Sequence, residues 1–241
     1  IQTRWSIGPL LDMSRPRGGQ AMRTSLLTMM DAPPAMGAYR IMGAAAKLYN
    51  RRFGANVRFQ ALPTPFDLYT DGLENPVFEE FGAGTEALHL EDVQARQSLM
   101  RAPVYRDRFR KEWKNKLASR AYHRDLAEAR IVECPDASLN GKTFAAVAAD
   151  RGADEVDTFL DLQAQYGNSL RWYSVVANAK EETLEWIVSH PAAMIGFSDA
   201  GAHLRNMAFY NYPLRMLKRV RDAERDGRAF MTIEHAVFKL T

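Results

Sequence analysis

The residues best suited to chemistry lie together at positions 195–203. This stretch reads Ile-Gly-Phe-Ser-Asp-Ala-Gly-Ala-His, so an apolar run leads into the carboxylate of Asp199 and then the imidazole of His203. A carboxylate can accept and return a proton during hydrolysis. The small residues between the two side chains leave room for a substrate or a metal close to the backbone. On spacing alone, Asp199 is equally suited to catalysis and to capping the following turn.

The residue patterns that other kinds of catalytic site require are absent from the sequence. The five histidines are His89, His123, His190, His203 and His235. No two of them have the His-x-His spacing of a zinc-binding pair. The single cysteine, Cys134, precedes a proline, and there is no Gly-x-Ser-x-Gly, phosphate-loop or dinucleotide-binding motif. His190 precedes a proline that ends a helix, and His235 lies in the last helical pattern, so we interpret both as structural.

The pattern around Asp199 indicates strands that alternate with helices, as in βα units. Short β-branched or aromatic runs predict strands at residues 2–7, 56–60, 129–133, 172–177 and 193–198. The last run is apolar on both faces, which is typical of a strand in a parallel sheet covered by helices. Asp199 would then follow the C-terminal tip of a strand, where a (β/α)8 barrel carries its functional side chains.

Residues 61–128 interrupt this alternation. They contain four prolines and several glycines, followed by basic amphipathic helices, and no run there predicts a strand. Tyr105, Phe109, Trp113 and Leu117 recur every four residues, which predicts a helix that packs one apolar stripe on a core. We interpret residues 61–128 as a helical insertion or lid between barrel segments 1–60 and 129–241. Residues 9–37 read as a loop.

Composition indicates an ordinary globular protein. The 241 residues are 46% hydrophobic and 25% charged, with a net charge of +3. No apolar run approaches the about 18 residues of a membrane-spanning helix, and a single cysteine fits a reducing compartment, so we expect a cytoplasmic protein. Residues 101–130 carry a local charge of +6. Their apolar stripe favours a solvated helix on a core over a nucleic-acid-binding surface.

Three stretches together carry a family resemblance. The run Ser-Asp-Ala-Gly-Ala-His at 198–203, with Ser-His-Pro at 189–191 and Ile-Glu-His-Ala-Val-Phe-Lys-Leu-Thr at 233–241, resembles the end of the catalytic barrel in the amidohydrolase superfamily. More narrowly, it resembles the N-acyl-D-amino-acid deacylase (D-aminoacylase) branch, as does the segment from residue 139 to 162. The resemblance spans most of residues 130–241 and implies an α/β fold, the later part of a (β/α)8 barrel of the TIM type.

The resemblance also implies an activity. Members of this branch are metal-dependent hydrolases that act on non-peptide C–N bonds and deacylate N-acyl amino acids or similar small amides with an activated water. Asp199 would transfer the proton of that water and contribute to the metal site, and His203 and Arg205 would contact the substrate. Zinc is the expected metal of the full-length protein, but the other histidine ligands are absent from this chain. The chain by itself is therefore expected to be inactive.

Both ends look cut, since the chain starts at Ile1 and its last helical pattern runs to Thr241. We expect a piece of a longer protein, with a small N-acylated substrate and no nucleic-acid or membrane partner. Such a piece would associate with itself, as a homo-oligomer, or with the missing half of the barrel. The alternative is a non-catalytic binding or assembly module derived from the same fold, which would use the basic helices around residues 106–124.

Overall fold

The structure is a computed structural model that describes residues 3–32, 35–118, 120–198, 201, 204–207 and 209–241, with side chains from residue 8 onward. Within these ranges the helices are α1 (Thr3–Met13), α2 (Ala38–Phe53), α3 (Gly82–Leu88), α4 (Val93–Arg101), α5 (Pro103–Trp113), α6 (Phe144–Arg151), α7 (Glu155–Tyr166), α8 (Glu181–Ser189), α9 (Tyr212–Arg225) and α10 (Ile233–Leu240). The strands are β1 (Arg23–Leu26), β2 (Asn56–Ala61), β3 (Phe66–Asp71), β4 (Arg130–Glu133), β5 (Arg171–Ala177) and β6 (Ala193–Ile195). None of the described helices combines the length and apolar character needed to cross a bilayer.

Three strands form a parallel sheet in the order β1-β2-β6. Phe59 is in register with Ala193, and Ala61 with Ile195. The side-chain amide of Asn50, on α2, accepts from the Val57 N–H and donates to the Val57 C=O, both at 2.8 Å. These two hydrogen bonds tie α2 to the start of β2, the central strand of the sheet. Helices α8, α9 and α10 cover the sheet with a core that includes Ile187, Ile195 and Val220.

The other three strands form an antiparallel sheet in the order β3-β5-β4. Phe66, the first residue of β3, is in register with Ala177, the last residue of β5. Helices α3 to α7 supply a second core, whose largest fully buried side chains are aromatic: Phe78, Phe109, Tyr122, Phe144, Phe159 and Trp172. The indole N–H of Trp172 donates to the Gly72 carbonyl at 2.8 Å, so the only polar atom of this ring is satisfied inside the core.

The strand predictions are confirmed in part. The predicted strand at 2–7 is wrong, since α1 occupies that stretch; a short apolar run does not distinguish a strand from a helix. The predicted loop at 9–37 contains β1, and residues 61–128 contain β3. The runs at 129–133 and 172–177 contain β4 and β5, but these pair antiparallel with β3. Among the described residues the parallel strands are three, and a closed barrel is not shown.

Candidate functional site

The parallel sheet ends at the stretch that carries the motif. Beyond β6, the Gly196 N–H donates to the Ala61 carbonyl at 3.4 Å, and the Phe197 ring stacks on Phe66 with centroids 6.0 Å apart. The Ser198 carbonyl accepts from the Phe209 N–H at 2.9 Å. The chain therefore leaves β6 and returns across one backbone hydrogen bond, supported by an aromatic cluster at the junction of the two sheets.

The structure locates one of the three predicted site residues. Asp199 and His203 lie outside the described residues. Arg205 is described, and its side chain is 75% exposed while its Nε donates to the carboxylate of Asp71 on β3. The roles of all three in catalysis and substrate binding remain predictions.

Asn206 holds the returning chain against the outer edge of β3. The Tyr69 N–H donates to the Asn206 carbonyl at 2.8 Å, and the Asn206 side-chain amide donates to the carbonyls of Tyr69 at 2.9 Å and Glu74 at 2.7 Å. These bonds satisfy backbone groups that an edge strand otherwise leaves unpaired. The segment that follows the motif is thereby fixed beside the antiparallel sheet.

One face of the antiparallel sheet is polar. Successive side chains of a strand alternate between faces, and Leu68, Thr70, Trp172, Ser174 and Val176 are buried toward the helices. The opposite face, which we call the polar face, is formed by Asp67, Tyr69, Asp71, Arg171 and Tyr173. The rings of Tyr69 and Tyr173 lie 5.0 Å apart, and the Arg171 guanidinium lies 5.2 Å from the Tyr69 ring centre. The polar face adjoins the segment fixed by Asn206.

At one end of the polar face, Asp71 is buried between two arginines. Its side chain is 7% exposed and accepts from Arg171 Nη1 at 2.6 Å and from Arg205 Nε. Arg171 Nη2 also donates to the Arg205 carbonyl at 3.0 Å. A cavity of about 370 Å³ adjoins these groups and is also lined by Cys134 and Asn168. Removing the carboxylate would leave two facing cations, so Asp71 positions the segment that carries Arg205.

At the other end, Asp67 faces Tyr173 and Arg215 of α9. Burial raises the pKa of the Asp67 carboxyl, although the Arg215 charge and a hydrogen bond with Tyr173 favour its ionised form. Burial, together with the Asp67 charge, raises the pKa of Tyr173 to about 12. Titratable groups whose pKa values are shifted by burial and by neighbouring charges often mark a functional site. Asp67 lies where no strand is predicted from the sequence, although the alternation Asp-Leu-Tyr-Thr-Asp at 67–71 is a strand pattern.

Two of the remaining histidines serve the structure. His190 Nδ1 accepts from the Ala192 N–H at 3.1 Å, and its ring lies 4.8 Å from that of Trp186, which agrees with the structural role expected for it. His123 Nδ1 accepts from the Asp125 N–H, so the ring proton belongs on Nε2, which donates to the Val175 carbonyl at 2.9 Å. Burial lowers the pKa of both histidines.

The described residues do not supply a metal centre. Within those ranges, no three His, Cys, Asp or Glu side chains come together in a group that could hold a metal ion. A catalytic zinc site needs three protein ligands. The described side chains therefore do not by themselves form a site for the expected zinc.

The basic face of α5 is largely neutralised by α7. Arg106 pairs with Asp157 at 3.1 Å and with Asp161 at 2.6 Å, and Arg110 pairs with Asp157 at 3.2 Å. The predicted apolar stripe is confirmed at its first three positions, which are buried. Leu117 is 98% exposed because α5 ends at Trp113. This pairing does not favour the alternative of a free basic surface.

The chain is similar to longer proteins from mycobacteria. No family model matches the chain. Proteins of Mycobacterium tuberculosis and Mycobacterium bovis, both named as uncharacterized, are 49% identical to it over 224 residues, which is 92% of the chain. The chain spans 37% of the length of these curated relatives.

Solved structures that overlap with the chain are more distant. An N-acyl-D-glutamate deacylase from Bordetella bronchiseptica, complexed with zinc and a phosphonate inhibitor, is 17% identical, with a TM-score of 0.48 over 98% of this chain and 38% of that one. A D-aminoacylase mutant in complex with copper chloride is 15% identical, with a TM-score of 0.45 over 91% of this chain and 34% of that one.

Proposed function

We propose that the protein containing this chain is a metal-dependent hydrolase of the amidohydrolase type that deacylates N-acyl amino acids or similar small amides. The observation that carries the proposal is the run Ser-Asp-Ala-Gly-Ala-His at 198–203, directly after the last strand of a parallel sheet. Its resemblance to the D-aminoacylase branch supports the same reading. A carboxylate beyond the C-terminal end of such a strand is in the usual place for catalysis in α/β barrels.

In this proposal, Asp199 moves the proton. The oxygen of a water attacks the acyl carbon, the C–N bond breaks, and Asp199 accepts the proton of that water and delivers it to the leaving nitrogen. Zinc is the cofactor we propose for the longer protein, with ligands that the described residues do not provide.

Arg205 and His203 are proposed to contact the substrate, and Arg205 to bind its carboxylate. The bond from Arg205 Nε to Asp71 fixes the side chain, and its exposed guanidinium keeps further N–H groups for a second carboxylate. The rings of Tyr69 and Tyr173 would form a wall next to the acyl group. We propose no role for nucleic acid or membrane in this recognition.

The protein is proposed to work in the cytoplasm and in association. β1 and β6 are each bonded to one neighbouring strand among the described residues, which leaves an edge of the parallel sheet on either side. A second copy of the chain, or the rest of the barrel, is the partner we propose for these edges. The single cysteine, Cys134, is buried and unpaired, which suits a reducing compartment.

The experiment uses the longest natural chain that carries these residues, loaded with zinc. Asp199→Asn keeps the shape of the side chain but cannot accept the proton, so we expect turnover of N-acyl amino acids to fall by about 10² to 10⁴. Asp226→Asn, on an exposed helix end, is the matched control and should leave turnover unchanged. An Asp199→Asn protein with near-normal turnover would remove the proton-transfer assignment. Failure of the metal-loaded natural protein to hydrolyse any N-acyl amino acid would overturn the function.

A further inference from the structure

Residues 120–128 lead into β4 along the edge of the aromatic core, and we call them the strap. The strap contains neither helix nor strand, so side chains have to hold it in place. Tyr122 inserts its ring into the core, where it is 1% exposed and lies 6.0 Å from the Trp113 ring and 6.2 Å from the Trp172 ring. The proposed deacylase chemistry does not use the strap.

The carboxylate of Glu80 holds the first part of the strap. It accepts from the N–H groups of Ala121 at 2.7 Å and Tyr122 at 3.3 Å. It also accepts from Arg124 Nη2 at 3.4 Å, and Arg124 Nη1 donates to the Glu112 carbonyl at 3.0 Å. These bonds tie the strap to the helical part of the molecule.

His123 attaches the strap to β5. Its Nε2 lies 2.9 Å from the Val175 carbonyl and 3.2 Å from the Ser174 hydroxyl. On the other side of the ring, Nδ1 accepts from the Asp125 N–H at 2.9 Å and so closes a turn around Arg124. Arg124 has a φ of 59°, in the left-handed region, which a residue other than glycine adopts only where its surroundings hold it. The imidazole is therefore part of what fixes this turn.

The surroundings of His123 keep its ring neutral. Burial lowers the pKa of the imidazole, the Arg120 charge adds to this effect, and Asp125 and Glu128 oppose it. From β5, a carbonyl and a hydroxyl face the ring. The half-buried ring also lines a cavity of about 540 Å³, through which solvent can reach it. The other charged side chains around this cavity are Lys114, Lys116, Arg124, Asp154 and Glu155.

A second proton on this ring conflicts with the observed hydrogen bonds. It would occupy Nδ1, which would then be a donor that faces another donor, the Asp125 N–H, at 2.9 Å. We propose that protonation of His123 in mildly acidic solution breaks the turn at Arg124 and releases the strap from β5. In the released strap the imidazole regains its ordinary pKa of 6.5, above that of the attached ring, so acid shifts the population toward release.

Native-state hydrogen exchange of the longest natural chain, measured by mass spectrometry at pH 7.5 and at pH 5, tests the proposal. The rates are corrected for the effect of pH on the chemical exchange step itself. The opening equilibrium of residues 120–128 should then rise by up to about thirtyfold at pH 5, the limit reached when only the released ring is protonated. Helix α7, which packs in the same core, should show no such rise.

Two histidine variants separate this ring from other effects of pH. His123→Asn removes the titration but keeps a side-chain oxygen that can accept from the Asp125 N–H, so the strap should be equally protected at both pH values. His190→Asn is the matched control. His190 is also half-buried, its Nδ1 accepts from the Ala192 N–H, and burial lowers its pKa. In that variant the strap should respond to pH as it does in the natural chain.

The measurement on the natural chain decides the proposal even if His123→Asn does not fold. Equal protection of the strap at both pH values overturns it. An equal rise in the opening of α7 also overturns it, because the effect would then belong to the whole fold. The same holds if His123→Asn keeps the response to pH or if His190→Asn loses it.

Discussion

At the scale of single residues, the polar face contains two carboxylates in contrasting surroundings. Asp71 is enclosed by Arg171 and Arg205, whereas Asp67 is half-buried beside a phenol and a single arginine. The first is suited to hold a segment in place, whereas burial raises the pKa of the second.

Replacing Asp71 with asparagine should destabilise the protein. The change keeps the size of the side chain but leaves Arg171 and Arg205 facing each other without a counter-charge. Exposed ion pairs contribute about 0–1 kcal/mol and breaking buried ones costs about 3–5 kcal/mol, so we expect a loss of about 2 kcal/mol, because Arg205 is largely exposed. Urea unfolding measures it. Asp150→Asn, which breaks the surface pair with Lys142, is the control. An equal loss of stability in the two variants would contradict the positioning role of Asp71.

Replacing Asp67 with asparagine should change the pH dependence of stability. Because burial raises the pKa of this carboxyl in the folded state, its contribution is fully present below the unfolded pKa and is lost as pH rises through the folded pKa. Asp67→Asn removes that loss, so the free energy of unfolding of the variant, relative to the natural protein, should be higher at pH 7 than at pH 3. Denaturant titrations at the two pH values test this. A difference that is the same at both would show that the folded state does not perturb Asp67.

At the scale of elements, local signals in the sequence predicted helices better than strands. Asp154 and Thr143 cap α7 and α6, with bonds of 2.9 Å and 3.1 Å to the N–H groups of Val156 and Ala146. Such caps can be predicted from sequence because capping depends on residues two or three positions apart. The sheet partners depend on residues far apart in sequence. Tyr69 pairs with Tyr173, and nothing within either strand specifies that pairing or its antiparallel direction.

The same contrast applies to the candidate site. The stretch at 195–203 stands out in the sequence because strand, carboxylate and turn are contiguous. The polar face could not be read in this way, since Asp71 meets Arg171 and Arg205 only after three distant segments have folded together. Residue type and spacing can predict a motif, but they do not predict a surface assembled from segments that are far apart in sequence.

Helix α10 carries a half-buried lysine that should make stability depend on pH in the alkaline range. Lys239 Nζ donates to the His190 carbonyl at 2.7 Å, and burial, aided by the Arg58 charge, lowers its pKa to about 8. Between pH 8 and the usual pKa of 10.5, the unfolded chain binds more protons than the folded one, so stability contributed by this group rises with pH.

Lys239→Met should remove that rise, and Lys180→Met, on an exposed helix cap, should retain it. Denaturant unfolding at pH 7.5 and at pH 10 provides the comparison. If Lys239→Met and the natural protein respond alike to the change in pH, the ammonium of Lys239 is not buried in solution.

At the scale of the whole molecule, two cores of different character share one chain. The antiparallel sheet is covered by aromatic side chains on one face, whereas the parallel sheet keeps apolar side chains at its margins. Leu27, Ile41, Leu48 and Phe238 are all exposed, as is Met194 on β6. We propose that these side chains belong to a surface that a second copy of the chain or the rest of the protein covers.

The isolated 241-residue chain is therefore expected to self-associate. Leaving a few hundred Å² of apolar surface in water forfeits several kcal/mol at about 25 cal/mol per Å², which is comparable with the stability of a whole domain. Sedimentation at micromolar concentration should detect dimers or larger species, and Met194→Lys on the β6 edge should reduce them. A clean monomer with a single cooperative melt would show that these edges are covered within the chain.

The register of Phe66 with Ala177 sets where the antiparallel sheet joins the rest of the molecule. These two residues are the ends of the segment that contains the antiparallel sheet. Because they are paired, the two ends are neighbours in space. A short turn could replace the whole segment without altering the path of β2 or β6, and a different segment could be spliced into the same place. Along the chain, the antiparallel sheet with its helices is therefore one continuous segment between β2 and β6 whose two ends meet at a single pair of residues.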